Sequence, residues 1–368
     1  MSVAIPPTIE AVTPEWLTEA LHESGALGRA TSVASVEYET VGTGVGILGL
    51  LAQLTLTYDG ETTEFPTTMV VKIASPHPET KDIARFYGFY TTEVGCYRAA
   101  MQPGDGLGVR VPDVYAAHVS ENGGDFVILM EDLSACRVAD QITGASVEDA
   151  EHVIDLLAGF HGHWWQNPSM DELHWLRPLD NPAYLAGEQH YQALWPLFAS
   201  RYGDRATASA MACAERFGGQ LADFNRWVAA NRPMTIGHAD LRLDNVFFDH
   251  PGGTPVMLID WQLTVRNMGA YDVSYFLVQS MGRQERLAHG QALLRRWYDG
   301  LLAAGVTDYS WEDARADYRR SILGQLSIAV VGSSMDPGND RGRLLFDTMV
   351  LRNLAALDDE NAAELLLR

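Results

Sequence analysis

His238-Ala239-Asp240-Leu241-Arg242-Leu243-Asp244-Asn245 is followed further along by Leu258-Ile259-Asp260-Trp261-Gln262. An Asp, an Asn five residues on, and a second Asp closing an apolar run supply one carboxylate to orient a hydroxyl and two oxygen ligands for magnesium. That is the donor set of phosphoryl transfer, and it points to a kinase active site. The first motif reads as a loop entering the short strand Val246-Phe247-Phe248, the second as a strand from Val256 to Ile259 that ends in Asp260. Between them, Asp249-His250-Pro251-Gly252-Gly253 is dense in turn residues. The two strands should therefore form a hairpin that brings Asn245 and Asp260 close enough to share an ion.

Protein kinases use H-R-D-L-x-x-x-N and D-F-G for this purpose; here Ala239 stands in place of the Arg and Asp260-Trp261-Gln262 in place of D-F-G. With these departures the chain resembles the aminoglycoside phosphotransferase and choline kinase-like superfamily, in which a small residue commonly separates the His and Asp. Within it, the form of both motifs looks most like the bacterial branch related to the ecdysteroid kinase-like proteins. The resemblance runs from Glu39 to Phe276. It implies ATP- and Mg-dependent transfer to a hydroxyl of a small molecule on an α+β, bilobal protein kinase-like fold. The small N-lobe, residues 1–130, should hold an antiparallel sheet with one main helix, and the larger, mostly helical C-lobe residues 131–368, with a hinge at 130–134.

The rest of an ATP site is legible upstream. The chain has only two lysines, Lys72 and Lys81, and Lys72 lies inside Met69-Val70-Val71-Lys72-Ile73, an apolar run that reads as a buried strand. A cation there is costly unless paired. Glu93, in the helical stretch Glu79 to Met101, is the natural partner, because a Lys held by a helix carboxylate can reach the α- and β-phosphates. A snorkelling lysine on an edge strand is the plainer reading. Further upstream, Gly42, Gly44 and Gly46 precede the alternating stretch Leu51 to Tyr58. Clustered glycines let backbone N–H groups approach phosphates, as in a loop folded over ATP, although glycines also serve ordinary hairpins. No G-K-[ST] follows, so this is not a Walker loop.

The strand Phe126 to Met130 breaks into Glu131-Asp132-Leu133-Ser134. By resemblance this is the hinge, where backbone groups around Glu131 and Leu133 would bind adenine and Met130 would form a wall. A plain strand ending in a polar turn fits equally. Asp240 is best placed to orient the acceptor hydroxyl, and Asn245 and Asp260 to hold metal. Arg242 occupies the position of a catalytic-loop lysine, which implies a contact to the γ-phosphate; a structural pairing with Asp244 is the alternative. The resemblance gives His238 a bracing role and makes Asp272 the residue that ties down the loop around it. His161 and His163 alternate beside a helix end, yet no further Cys or Asp stands at ligand spacing; His161 resembles the leucine-histidine helix end common in that superfamily, which implies a packing role.

Periodicity places a short helix after the Thr13-Pro14-Glu15 signal, ending near Gly25, then mainly strands to Ala74. From Val147 the pattern is helical, through Ala206 to Ala230, Ala270 to Ser280, Gln284 to Ala304, Trp311 to Val331 and Arg341 to Leu367. The stretch Asn167 to Tyr191, beside Trp164, Trp165, Trp175 and Trp195, is the expected variable acceptor region, its aromatics serving as pocket wall or as core.

A chain of 368 residues suffices for two lobes with buried cores. A formal charge of −22 argues against nucleic acid as a partner. It would steer a cationic substrate, but acidity also serves solubility. Cys96, Cys136 and Cys213 follow no disulfide or metal spacing, and no run approaches the ~18 apolar residues of a membrane span. A cytoplasmic monomer or homodimer acting on a small-molecule hydroxyl is expected. The acceptor could be a bulky, partly apolar sterol- or polyketide-like alcohol or an aminoglycoside-like compound. A hydroxyacyl-CoA is a further candidate, though no basic surface for the CoA phosphates is evident. A nucleotide-binding pseudokinase serving as sensor or scaffold is the non-catalytic reading.

Overall fold

Residues two apart on a strand share a face, so Met69, Val71 and Ile73 should line one side of a sheet and Lys72 should point to the other. The computed structural model describes residues 3–41, 48–60, 65–102, 106–334 and 338–367. In it this segment is the middle strand of a five-stranded antiparallel sheet. The strands are β1 (Ser32–Val41), β2 (Gly49–Asp59), β3 (Thr68–Ala74), β4 (Val114–Val119) and β5 (Phe126–Glu131), in the order β1-β2-β3-β5-β4. Met69, Val71 and Ile73 join Leu54, Leu56, Val127 and Leu129 in a core that also contains Leu17, Ala20 and Leu21 of the helix α1 (Pro14–Ser24). The Thr13 hydroxyl accepts from the Trp16 N–H, Pro14 opens the first turn, and Gly25 ends the helix at φ 76°. The position of β3 excludes the edge-strand reading of Lys72.

The single helix expected from Glu79 to Met101 is two, α2 (Pro78–Tyr87) and α3 (Phe89–Ala100). Gly88 separates them at φ 77°, a left-handed conformation that a right-handed helix cannot continue, and its N–H bonds to the Ala84 carbonyl. These elements form one compact unit, Met1–Cys136, which also includes Met257–Gln262, whereas the sequence reading draws its boundary at 130.

The second unit holds Arg137–Val256 and Leu263–Arg368. It starts with β6 (Arg137–Val138) and continues through α4 (Val147–Trp164), α5 (Pro182–Leu185), α6 (Gly187–Tyr202), α7 (Ala208–Gly218) and α8 (Leu221–Asn231). Short strands follow, β7 (Thr235–Gly237), β8 (Val246–Phe248) and β10 (Val265–Asn267); of β9 (Val256–Leu258), only Val256 counts with this unit, Met257 and Leu258 with the first. Four helices complete it, α9 (Ala270–Ser280), α10 (Arg283–Ala303), α11 (Trp311–Gly332) and α12 (Asp340–Asp359). The helix expected over Ala206 to Ala230 is thus α7 and α8, divided at Gly219-Gln220, and the last one stops at Asp359 before a 3-10 turn, Ala362–Leu365. Every residue of α9 is buried, with α4, α10, α11 and α12 in contact around it. Helix and strand contents match the expected kinase-like α+β architecture. No helix among the described residues is long and apolar enough to cross a membrane.

Candidate active site

Lys72 projects from the face of β3 opposite that core and meets Glu93 of α3. Its Nζ lies 2.7 Å from Glu93 Oε1 and 2.8 Å from Asp260 Oδ1. Three distant segments of sequence thus meet within the first unit. Burial works against the lysine charge, but Asp260 and Glu93 outweigh it and hold the ammonium firmly protonated. Burial pushes the Glu93 carboxyl up to about 7, with Lys72 pulling the other way. Glu93 Oε2 is buried, and no hydrogen bond reaches it among the described residues. Asp260 adopts φ 65°, a left-handed conformation unusual for a residue with a side chain, and its Oδ2 accepts from the Gln262 amide at 3.3 Å.

The raised Glu93 pKa carries a sign for stability. The folded-state value lies above the 4.5 of an exposed glutamate, so folding takes up a proton between the two. That contribution is complete below about 4.5 and is lost as pH rises through about 7. Relative to a Glu93→Gln variant, whose amide does not titrate, the wild-type Tm should fall over this window. Calorimetry of both proteins at matched ionic strength measures the difference, and parallel pH profiles would disprove it.

In the second unit, β7 ends at Gly237 and the chain turns through His238 and Ala239 into the motif loop. Asp272, in the first turn of α9, holds this turn by its carboxylate: Oδ2 accepts from the His238 N–H at 2.7 Å and Oδ1 from the Ala239 N–H at 2.8 Å. Burial opposes the Asp272 charge, yet His161, His238 and the Ala239 N–H outweigh it and keep the carboxyl below its ordinary range. So fixed, Ala239 takes φ 64°, and Asp240 follows with its N–H 3.3 Å from His238 Nδ1. His238 therefore braces the loop, as the sequence suggested. His161 belongs to the same bracing group: Nε2 lies 3.2 Å from Asp272 Oδ2, and Nδ1 accepts from the Trp297 indole at 3.1 Å.

The Asp240 carboxylate is held at both oxygens. Asn245 Nδ2 donates to Oδ2 at 3.2 Å and to the Asp240 carbonyl at 2.8 Å, while the Tyr275 hydroxyl donates to Oδ1 at 3.0 Å. Arg242 lies between two acids, with Nε 3.6 Å from Asp240 Oδ2 and Nη1 3.4 Å from Asp244 Oδ2. The pairing with Asp244 raised as the alternative is present, and so is one with Asp240. Because the Asn245 amide nitrogen is committed to Asp240, its oxygen is the atom left for a hard cation, the ligand type magnesium takes. Asp260 offers the same chemistry in the first unit. Each of the two residues offers an oxygen donor of the kind a divalent ion takes.

Sequence reasoning missed Gln141. Fully buried after β6, its Oε1 accepts from the Leu243 N–H at 2.6 Å and its Nε2 donates to the Gln279 carbonyl at 2.6 Å. Arg352 of α12 closes the arrangement, donating to the carbonyls of Gln141, Gln279 and Ile142 at 2.7–2.9 Å. An isolated glutamine in a connecting segment carries no motif that could have signalled this. The turn Asp249–Gly253 forms as expected, with the Asp249 and His250 N–H groups bonded to the carbonyls of Pro255 and Thr254. Asn245 counts with the second unit and Asp260 with the first, so their shared ion is taken up below as a proposal.

Of the hinge residues, Met130 and Leu133 are buried, and Glu131 is tied to Asp113: its N–H donates to the Asp113 carbonyl at 2.8 Å and its Oε2 accepts from the Asp113 N–H at 3.1 Å. The Glu131 N–H is therefore already committed. Gly42, Gly44 and Gly46 lie outside the described residues. In the Trp-rich stretch, Trp165 packs against Tyr309 with centroids 4.8 Å apart, and Trp195 stacks between Tyr191 and Phe198. Both rings pack against neighbouring aromatic side chains.

A kinase-like small sheet unit with a lysine paired to a helix glutamate, and a helical unit with a braced His-Ala-Asp loop, define a small-molecule phosphotransferase that acts on hydroxyl groups. The chain belongs to the phosphotransferase enzyme family (APH), whose model matches residues 53–315. Among solved structures it is similar to a choline kinase from Cryptosporidium parvum Iowa II, at 10% identity and a TM-score of 0.52, covering 89% of this chain and 91% of that one. It is also similar to a mutant of aminoglycoside 2′-phosphotransferase-IIIa in its GDP complex, at 12% identity and a TM-score of 0.50, covering 96% and 98%. At these identities the likeness concerns the fold. None of the curated proteins matches the chain by sequence.

Proposed function

We infer that the chain is an ATP- and Mg-dependent O-phosphotransferase whose acceptor is a bulky, partly apolar alcohol or an aminoglycoside-like compound. The observation that carries the nucleotide half is Lys72 bonded at once to Glu93 and Asp260. A lysine held this way presents a fixed positive charge to the α- and β-phosphates. Magnesium, when bound, neutralises the charge that develops on the phosphates; Asn245 and Asp260 are the residues that would hold it. Asp240 orients the acceptor hydroxyl and takes its proton late, and Arg242 faces the γ-phosphate from between its two acids. For adenine, the Leu133 N–H is the hinge donor that no hydrogen bond claims among the described residues, and Met130 lies at the end of the adjoining strand.

The sequence leans toward an apolar acceptor through its Trp-rich stretch, and the net charge of −22 suits a cationic one. Phosphate transfer from MgATP to a panel of sterol alcohols, polyketide alcohols, choline and aminoglycosides tests the reading. Turnover on one class supports it and assigns the acceptor. Tight MgATP binding with neither transfer nor hydrolysis would overturn it in favour of a pseudokinase.

A further inference from the structure

The geometry points to Tyr275 as a positioning residue that sets the plane of the Asp240 carboxylate through a hydrogen bond from α9. This rests on the reading of Asp240 as the group that orients the acceptor hydroxyl.

The terminal torsion of an aspartate is broad, so an unheld carboxylate samples many orientations. In-line attack needs one, because a small misplacement of a reacting group costs orders of magnitude in rate. Asn245 restrains Oδ2 from within the loop, which moves with it. Tyr275 restrains Oδ1 from outside the loop, at 3.0 Å, on a helix buried along its whole length. Asp272 and Tyr275 are three residues apart and so lie on the same side of α9. One helix turn therefore grips the loop backbone through His238 and Ala239, and the reacting side chain through its other oxygen. Burial first, then the neighbouring Asp240 charge, raise the Tyr275 phenol well above its ordinary range. It stays protonated and serves as a donor, never as a competing base.

The test uses the full chain with MgATP as the probe and water as acceptor, comparing wild type, Tyr275→Phe, Asp240→Asn and the double variant. Tyr275→Phe keeps the ring and removes only the donor. Expected is a fall in kcat of about tenfold, the worth of one hydrogen bond to a charged group, with KM and Kd for MgATP unchanged. In the Asp240→Asn background the same substitution should cost nothing further, since the carboxylate it orients is gone even though an amide oxygen remains. Full kcat in Tyr275→Phe, an equal loss in both backgrounds, or a weakened MgATP Kd would overturn the proposal. Wild-type kcat in Asp240→Asn would overturn the underlying reading of Asp240 instead.

Discussion

Asp240→Asn should reduce phosphate transfer by roughly 10²–10⁴-fold while leaving the Kd for MgATP close to wild type. The amide has the carboxylate's shape, so the loop, whose backbone is held by Asp272, keeps its place. What is lost is the negative charge that receives the acceptor proton, and one acceptor for the Tyr275 and Asn245 donors. Because Lys72, proposed to contact the nucleotide, belongs to the other unit, binding and turnover should separate cleanly. Single-turnover kinetics alongside a nucleotide titration makes the comparison. A variant that turns over within tenfold of wild type would remove Asp240 from the chemistry.

Lys72→Met should be costly twice, in stability and in turnover. Methionine fills the volume but leaves Glu93 and Asp260 facing each other without a cation, and Glu93 already has one buried oxygen that no hydrogen bond reaches among the described residues. Breaking a buried pair by removing one member costs about 3–5 kcal/mol, which for a unit of this size lowers Tm on the order of 10 °C. The deficit should shrink as pH falls toward about 7, because Lys72 holds the Glu93 carboxyl down and without it the variant takes up a proton at higher pH than the wild type does. Turnover should fall about a hundredfold or more, as when one preorganised donor to a developing charge is lost. A double variant, Lys72→Met with Glu93→Gln, should recover part of the stability and none of the activity. Thermal melts that show no pH-dependent narrowing would refute the charge argument.

The sequence made the candidate reacting groups legible because phosphoryl transfer confines residue types and spacings narrowly. Asp240, Asn245, Asp260, Lys72 and Glu93 could be picked out before any fold was known, and the structure brings Lys72, Glu93 and Asp260 together. Asp272 was legible through resemblance, and its two backbone bonds are present. The supporting residues were opaque for physical reasons. Tyr275 sits in an apolar helical run, where an aromatic reads as core. Gln141 acts through hydrogen bonds whose partners, Leu243 and Gln279, are far off in sequence. The break at Gly88 was hidden because the helical pattern resumes at once on its far side, and periodicity does not register a change of axis.

Arg352 touches none of the candidate reacting groups, yet its guanidinium gathers the carbonyls of Gln141, Ile142 and Gln279 around the glutamine that pins Leu243. The catalytic loop is thereby moored to the last long helix of the chain. A saturation scan scored by phosphate transfer would mark Arg352 as intolerant as a reacting residue, and only a separate measure of folded protein would tell the mooring from the machinery.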